Sequence, residues 1–87
     1  TGVQTCALPI STTIRFSLAE PGRVQLRIYD ELGCCRRTLL DGVIPAGVQQ
    51  VTWDARDDSG RPLGAGIYLC RLQGPEFVLT RKLLYIK

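Results

Sequence analysis

Apolar and polar residues alternate along two segments near the start of the chain. In residues 14–18 and again in residues 24–28, every second position is Ile, Phe, Leu or Val, and the positions between them are Arg, Ser or Gln. Because successive side chains of a strand point to opposite faces, each segment would present one apolar face to a core and one polar face to water. The pattern predicts two half-buried antiparallel strands.

Nine glycines and five prolines divide the rest of the chain into short windows. Windows of about 6 to 12 residues suit strands better than packed helices. Residues 67–73 are apolar on both faces, so this strand is expected in the middle of a sheet. Residues 77–86 carry two basic residues midway and are expected to form an edge strand or a bulged strand. With further strands at 34–40 and 48–54, the chain is predicted to be all-β, a sandwich of six or seven short antiparallel strands.

Composition narrows the chemistry that the chain could carry. The 87 residues include no His, which excludes Ser-His and Cys-His nucleophiles and every Cys/His zinc pattern. The net charge of +3 is spread over both halves, so there is no basic arm and no nucleic-acid partner is expected. The longest uncharged stretches, 1–14 and 42–53, are too short to span a bilayer, so no membrane insertion is expected. A binding or structural module is predicted, not an enzyme.

Three carboxylates fall within five positions at Asp54, Asp57 and Asp58. Calcium prefers clustered oxygen ligands, but the spacing does not fit the twelve-residue loop pattern and no Glu follows at its end. Glycoside hydrolysis needs two carboxyl groups, one of which has its pKa raised by the wall of a pocket. Asp57 and Asp58 are adjacent at a loop tip, where no such wall is expected. A turn is favoured instead, with Asp side chains accepting backbone N–H bonds and Gly60 at positive φ. No metal, cofactor or catalytic residue is predicted.

The four cysteines, Cys6, Cys34, Cys35 and Cys70, contain no C-x-x-C pair, which argues against metal binding and thioredoxin-like chemistry. Cys34 and Cys35 would point to opposite faces of one strand and could not easily bond each other. One of them could bridge to Cys70 across the core, as would suit a secreted domain. Free thiols, buried or incidental, are the favoured alternative.

Arg15, Arg23, Arg27 and Tyr29 could line one sheet face and bind single-stranded nucleic acid through charge and stacking. A solvated sheet face explains the same residues, since outward strand positions must be polar, and this explanation is favoured.

Trp53 and Tyr68 are expected to be core anchors rather than ligand platforms. A buried Tyr hydroxyl would then bond a backbone group nearby, as the tyrosine corner of sandwich folds does.

The first ten residues, TGVQTCALPI, look like a translated sequencing adapter. They are predicted to be a non-native, disordered scar that includes Cys6, and the domain itself is predicted to be residues 11–87. The chain contains no Met, so it is not expected to be a complete reading frame with its start. Any signal peptide of the parent protein would then be unseen.

From residue 11 onward the chain is similar to the FlgD-type Ig-like domain of flagellar hook-capping proteins. Related domains form the C-terminal modules of many large secreted bacterial proteins. The similarity is carried by STTIRFSL, VQLRIYDELG, RTLLDG, PAGVQQVTWDARDDSGRPLGAGIYLCRL and FVLTRKLLYIK. Its most specific part is a motif of six residues that are expected to have a structural role: Trp53, Asp54, Asp57, Gly60, Gly66 and Tyr68. Two departures are Ala55, where Gly is usual, and Arg36, where an apolar residue is expected.

The resemblance implies an Ig-like or fibronectin-III-like β-sandwich without catalytic residues. At the end of an exported chain such a domain resembles the sorting domain read by the type IX secretion machinery, located outside the cell or at its surface. Arg81, Lys82 and Lys87 on or beside the last strand are then expected to meet a protein partner, either that machinery or neighbouring subunits. The alternatives are an assembly domain of a flagellar hook cap and a carbohydrate-binding accessory domain. The latter would need an exposed aromatic row, for which only Tyr29 and Tyr85 are candidates.

Overall fold

Two antiparallel sheets pack face to face in the structure, which is a computed structural model describing residues 2–3 and 12–85 of the chain. The all-β sandwich predicted from the sequence is confirmed. The strands are β1 (Gly2–Val3), β2 (Thr12–Leu18), β3 (Gly22–Tyr29), β4 (Cys35–Ile44), β5 (Gly47–Trp53), β6 (Gly66–Gln73) and β7 (Val78–Tyr85).

The strand order places the two sheets on opposite sides of one core. One sheet has the order β1-β2-β5, and the other has the order β4-β3-β6-β7. Strand β6 lies between β3 and β7, which confirms the central position predicted for residues 67–73. Strand β7 is at the edge of its sheet, also as predicted. In the described residues no helix is long and apolar enough to cross a bilayer.

The core is formed by every second residue of the facing strands. In β3 and β6 the buried positions alternate with half-buried or exposed ones, as the period of two predicted. All of the fully buried side chains in the described residues are apolar. The buried residues of the core are Ile14, Phe16, Leu18, Val24, Leu26, Ile28, Trp53, Ala55, Tyr68, Cys70, Leu72 and Leu83.

Strand β4 is longer than the sequence predicted. The expected strand at 34–40 continues to Ile44, because β3 supplies pairing partners along its whole length, from Tyr29 opposite Cys35 to Gly22 opposite Ile44. The register shifts between Leu26 and Arg27, so β4 carries an extra residue there, and a bulge of this kind breaks the simple alternation. Because the hydrophobic alternation is irregular here, the sequence pattern does not show that β4 ends at Ile44.

Two residues of the predicted N-terminal scar are described. Gly2 and Val3 form β1 and pair with Arg15 and Ile14 of β2. The other eight residues of the segment, including Cys6, lie outside the described residues, so the proposed origin of the segment stays a prediction.

Candidate functional site

The motif residues cluster where the chain crosses from one sheet to the other. Trp53 ends β5 in the three-stranded sheet, and Tyr68 lies in β6 of the four-stranded sheet. Their rings meet edge to face, with centroids 5.4 Å apart and planes at 69°, a favoured aromatic geometry. Both are buried, with 1% and 8% of their surface exposed, as expected of core anchors.

Each ring also uses its polar atom. Trp53 Nε1 donates a hydrogen bond to the carbonyl of Arg56 at 3.1 Å. The Tyr68 hydroxyl donates to the carbonyl of Gly64 at 2.6 Å, four residues earlier in the chain. Burial raises the pKa of the Tyr68 hydroxyl, so it stays a donor at neutral pH. The result is the tyrosine-corner arrangement that the sequence predicted.

Asp57 organises the turn between the two rings. Its Oδ1 accepts hydrogen bonds from the Ser59 hydroxyl at 2.8 Å, the Ser59 amide at 3.0 Å and the Arg61 amide at 2.9 Å. Gly60 has φ of 87°, which glycine adopts without a steric penalty, and its amide donates to the Asp57 carbonyl. The hydrogen bonds from the Ser59 hydroxyl and the Arg61 amide hold the pKa of Asp57 below its ordinary value. This carboxylate is therefore a turn acceptor.

The same turn is fastened to strand β4 of the other sheet. Asp58 Oδ1 accepts a hydrogen bond from the Thr38 amide at 3.0 Å, and the Asp58 amide donates to the Arg36 carbonyl at 2.9 Å. Arg37 reaches the Asp57 carbonyl at 3.2 Å and Asp54 Oδ1 at 3.5 Å. These contacts join residues about twenty positions apart and leave no local signal in the sequence, which is why the sequence assigned Asp58 only to the turn.

The acidic turn does not form a ligand cage in the described structure. Asp54, Asp57 and Asp58 each accept a hydrogen bond from a different backbone amide, those of Arg56, Arg61 and Thr38. Within the described residues, no three side chains of metal-ligating type come together. Contacts within the turn and with strand β4 account for all three carboxylates.

The two departures from the family pattern have separate structural accounts. Ala55 has φ of 61°, in the left-handed region that favours glycine, and its side chain is buried. Arg36 binds the Asp30 carboxylate through two nitrogens, at 2.8 and 2.9 Å. The pKa of Asp30 is held below its ordinary value, mainly by the hydrogen bond from the Cys34 amide and to a smaller extent by the hydrogen bond from Arg36. The basic residue therefore stabilises the β3–β4 loop.

The cysteines of the described region are free thiols. Cys34 and Cys35 are exposed, whereas Cys70 is buried in the core. Burial raises the pKa of the Cys70 thiol to about 12, so it is neutral and a poor nucleophile. The possible bridge to Cys70 is not present in this structure.

Two alternatives that the sequence had left open, and had not favoured, do not fit the structure. Arg15 lies on β2 in one sheet, while Arg23 and Arg27 lie on β3 in the other, so these residues do not share one face. Tyr85 is no exposed platform, because its ring packs against the core 6.4 Å from Trp53. The first alternative arises because the sequence alone does not show which strands share a sheet.

The basic residues of the last strand point to opposite faces. Arg81 pairs with the buried Cys70, so it lies on the core side of β7, where it borders a small apolar gap with Phe16 and Leu79. Its guanidinium bonds the Thr80 carbonyl at 3.2 Å at the surface. Lys82 lies on the outer face, and Lys87 lies outside the described residues. Arg81 and Lys82 therefore lie on opposite faces of β7, and the role of the three basic residues in partner binding stays a prediction.

Comparison with known proteins agrees with this geometry. The family model of the FlgD Ig-like domain matches residues 10–75. The chain belongs to this family. By fold, it is similar to part of dimeric latent PorU from Porphyromonas gingivalis, with a TM-score of 0.71 and 20% identity. The similarity covers 97% of this chain but only 9% of that one, so the chain corresponds to a small part of the larger protein. No curated protein matches the sequence significantly.

The Tyr68 hydroxyl is expected to contribute measurably to the stability of this FlgD Ig-like domain. Tyr68→Phe removes one hydrogen bond and leaves the Gly64 carbonyl without this donor, so the free energy of unfolding should fall by about 1–2 kcal/mol. Urea denaturation followed by Trp53 fluorescence would measure the change. Tyr29→Phe, on the outer face, is the matched control and should change stability far less. Equal effects of the two substitutions would contradict the role of the hydroxyl.

Asp57 is expected to make the domain sensitive to acid. Because its pKa is lowered on folding, its stabilisation is present above the ordinary value of 3.8 and is lost as pH falls through the folded pKa. Asp57→Asn should therefore lower stability at pH 7 and flatten the decline between pH 5 and pH 2. Urea midpoints across that range would test this, with Glu76→Gln as the control for an exposed acid. An unchanged slope in Asp57→Asn would refute the assignment.

Arg81 is expected to stabilise the domain through its aliphatic stem rather than its charge. Long basic side chains can cover apolar surface while the charged head stays in water. Arg81→Ala should lower the free energy of unfolding by about 1 kcal/mol, while Arg81→Met, which keeps the stem, should lose less than half of that. Thermal and urea unfolding would measure both. A larger loss for Arg81→Met than for Arg81→Ala would show that the charge matters more.

Proposed function

We propose that the domain is a non-catalytic C-terminal module of a larger secreted bacterial protein. In this proposal it acts in export and attachment at the cell surface, through contacts with other proteins. The observation that carries it is the match to a family of Ig-like modules, together with the likeness of nearly the whole chain to 9% of a much larger protein. A fold of this size suits a module that is attached to a larger activity.

The chemistry of the described side chains supports a binding role. The motif carboxylates accept hydrogen bonds within their own turn, and the buried thiol of Cys70 is neutral. The chain has no His to act as a general base. The binding surface must then be found on the exterior of the sheets or along their edges, where main-chain groups and exposed side chains are available.

Export of a reporter tests this proposal directly. A reporter fused in front of residues 1–87, and in parallel in front of 11–87, should reach the medium or the cell surface in a host that has type IX secretion. It should stay inside an otherwise identical host that lacks that machinery. A Phe16→Asp variant, which puts a charge in the core, tests whether export needs the folded domain. Retention of both unmodified fusions in the competent host would overturn the proposal.

The family name favours a second candidate, an assembly domain of a flagellar hook cap. Such a domain would pack against neighbouring subunits and would not direct a reporter out of the cell. Retention of the reporter, together with binding of the domain to hook-cap subunits in sedimentation experiments, would support this alternative over the first.

A further inference from the structure

Two arginines face each other on the outer side of the four-stranded sheet. Arg27 of β3 is directly opposite Arg71 of β6 in the register. Their chain neighbours Leu26, Ile28 and Cys70 are buried in the core, so alternation places both arginines on the outside. Directly opposed residues have Cβ atoms about 5 Å apart, and side chains of like charge in such a pair repel each other and destabilise the sheet.

Among the described residues, no Asp or Glu forms an ion pair with Arg27 or Arg71. All eight Asp and Glu residues lie in the described region. The acid on this sheet that lies closest in register, Asp41, is bound to Arg23 at 3.1 Å. Neither guanidinium is therefore neutralised by an Asp or Glu side chain.

Arg71 also holds a buried donor without a partner. Its Nε is shielded from solvent and has no hydrogen-bond acceptor among the described residues. Buried donors are nearly always satisfied, so an orphan calls for an explanation, and a missing ligand is one. An arginine fits a carboxylate with two parallel hydrogen bonds, and the Nε of Arg71 supplies one of them when the side chain turns outward on binding.

The surroundings of the pair distinguish between classes of anion. Arg71 borders a shallow hollow that is otherwise lined by Tyr29, Gly33, Leu69, Val78 and Thr80. Leu84 and Val78 on β7 are 45% and 49% exposed, which adds apolar surface beside the charges. A nucleic-acid backbone offers phosphates but little apolar contact, and only one aromatic ring is present for stacking. An acidic protein segment with apolar residues next to its carboxylates matches both features.

We propose that the outer face of the β4-β3-β6-β7 sheet is a docking surface for an acidic protein segment, in which Arg27 and Arg71 bind carboxylates. Lys82 lies on the same face, opposite Leu69, and adds a third positive charge. The apolar side chains Leu69 and Val78 contact the residues between the acids. This inference rests on the proposed function only in taking the partner to be a protein.

A titration with a defined peptide tests the docking surface. The probe is an N-acetylated, C-amidated Gly-Glu-Leu-Glu-Gly peptide, added to the full chain at low salt, because the attraction between exposed charges is screened as salt rises. The Nε–Hε signals of Arg27 and Arg71 in nitrogen–proton NMR spectra should shift, and 0.5 M salt should reverse the shift. The same peptide with Gln in place of Glu should leave both signals unchanged.

Matched variants separate this pair from general positive charge. Arg71→Gln and Arg27→Gln should each weaken peptide binding about tenfold, the effect of losing one charge-assisted contact. Arg15→Gln on the other sheet removes the same charge and should leave binding within about twofold. Either glutamine variant on the outer face should also raise the thermal midpoint, because it removes the repulsion. A glutamine variant that does not fold leaves the decision to the titration of the unmodified domain.

Three results would overturn the proposal. These are unchanged arginine signals with the Glu peptide, equal shifts with the Gln peptide, or tighter binding of oligothymidylate than of the Glu peptide. The export assay is independent of this titration. Export without peptide binding would reject the docking surface and leave the proposed function standing, whereas peptide binding without export would do the reverse.

Discussion

The fold depends on the contact between Trp53 and Tyr68, because this contact packs the end of β5 in one sheet against β6 in the other. A domain of this size buries a smaller fraction of its surface than larger domains do, and its stability margin is narrow. The two rings supply a large buried area and a fixed geometry at the point where no strand pairing joins the sheets. Without this contact the connection between β5 and β6 would be held only by the hydrogen bonds of the turn and by its contacts with β4.

The turn between these rings shows how short polar side chains replace strand pairing. Asp57 gathers three donors of the turn, and Asp58 caps the Thr38 amide of β4, so the loop is bonded both to itself and to the sheet. At Ala55 a backbone cost is balanced by a gain from burial. Its left-handed conformation costs about 1 kcal/mol, while burial of its methyl group returns a similar amount, so an Ala is tolerated where Gly is usual.

The sequence predicts the strands and turns whose signal lies in neighbouring residues. It does not predict the features that depend on which strands pair with each other. Alternation located β3 and β6, and turn chemistry located the motif around Asp57, because both signals are local. The end of β4 was missed because its last residues are held by β3 rather than by their own pattern. For the same reason the linear pattern does not show that Arg15 lies on a different sheet from Arg23 and Arg27, or that Arg71 lies opposite Arg27. Sheet order and register are fixed by contacts between distant segments, which a linear pattern does not contain.

The motif that identifies the family and the surface that could select a partner are therefore different parts of the molecule. Trp53, Tyr68 and Asp57 are used for folding, with their polar atoms bonded internally, so they cannot distinguish one partner from another. The outer face of the four-stranded sheet carries none of these structural duties. The like charges of Arg27 and Arg71, which face each other there, lower the stability of the domain. A bound partner that neutralises them would offset this cost. Domains of this family could then share the same core and turn while differing in the side chains of this face.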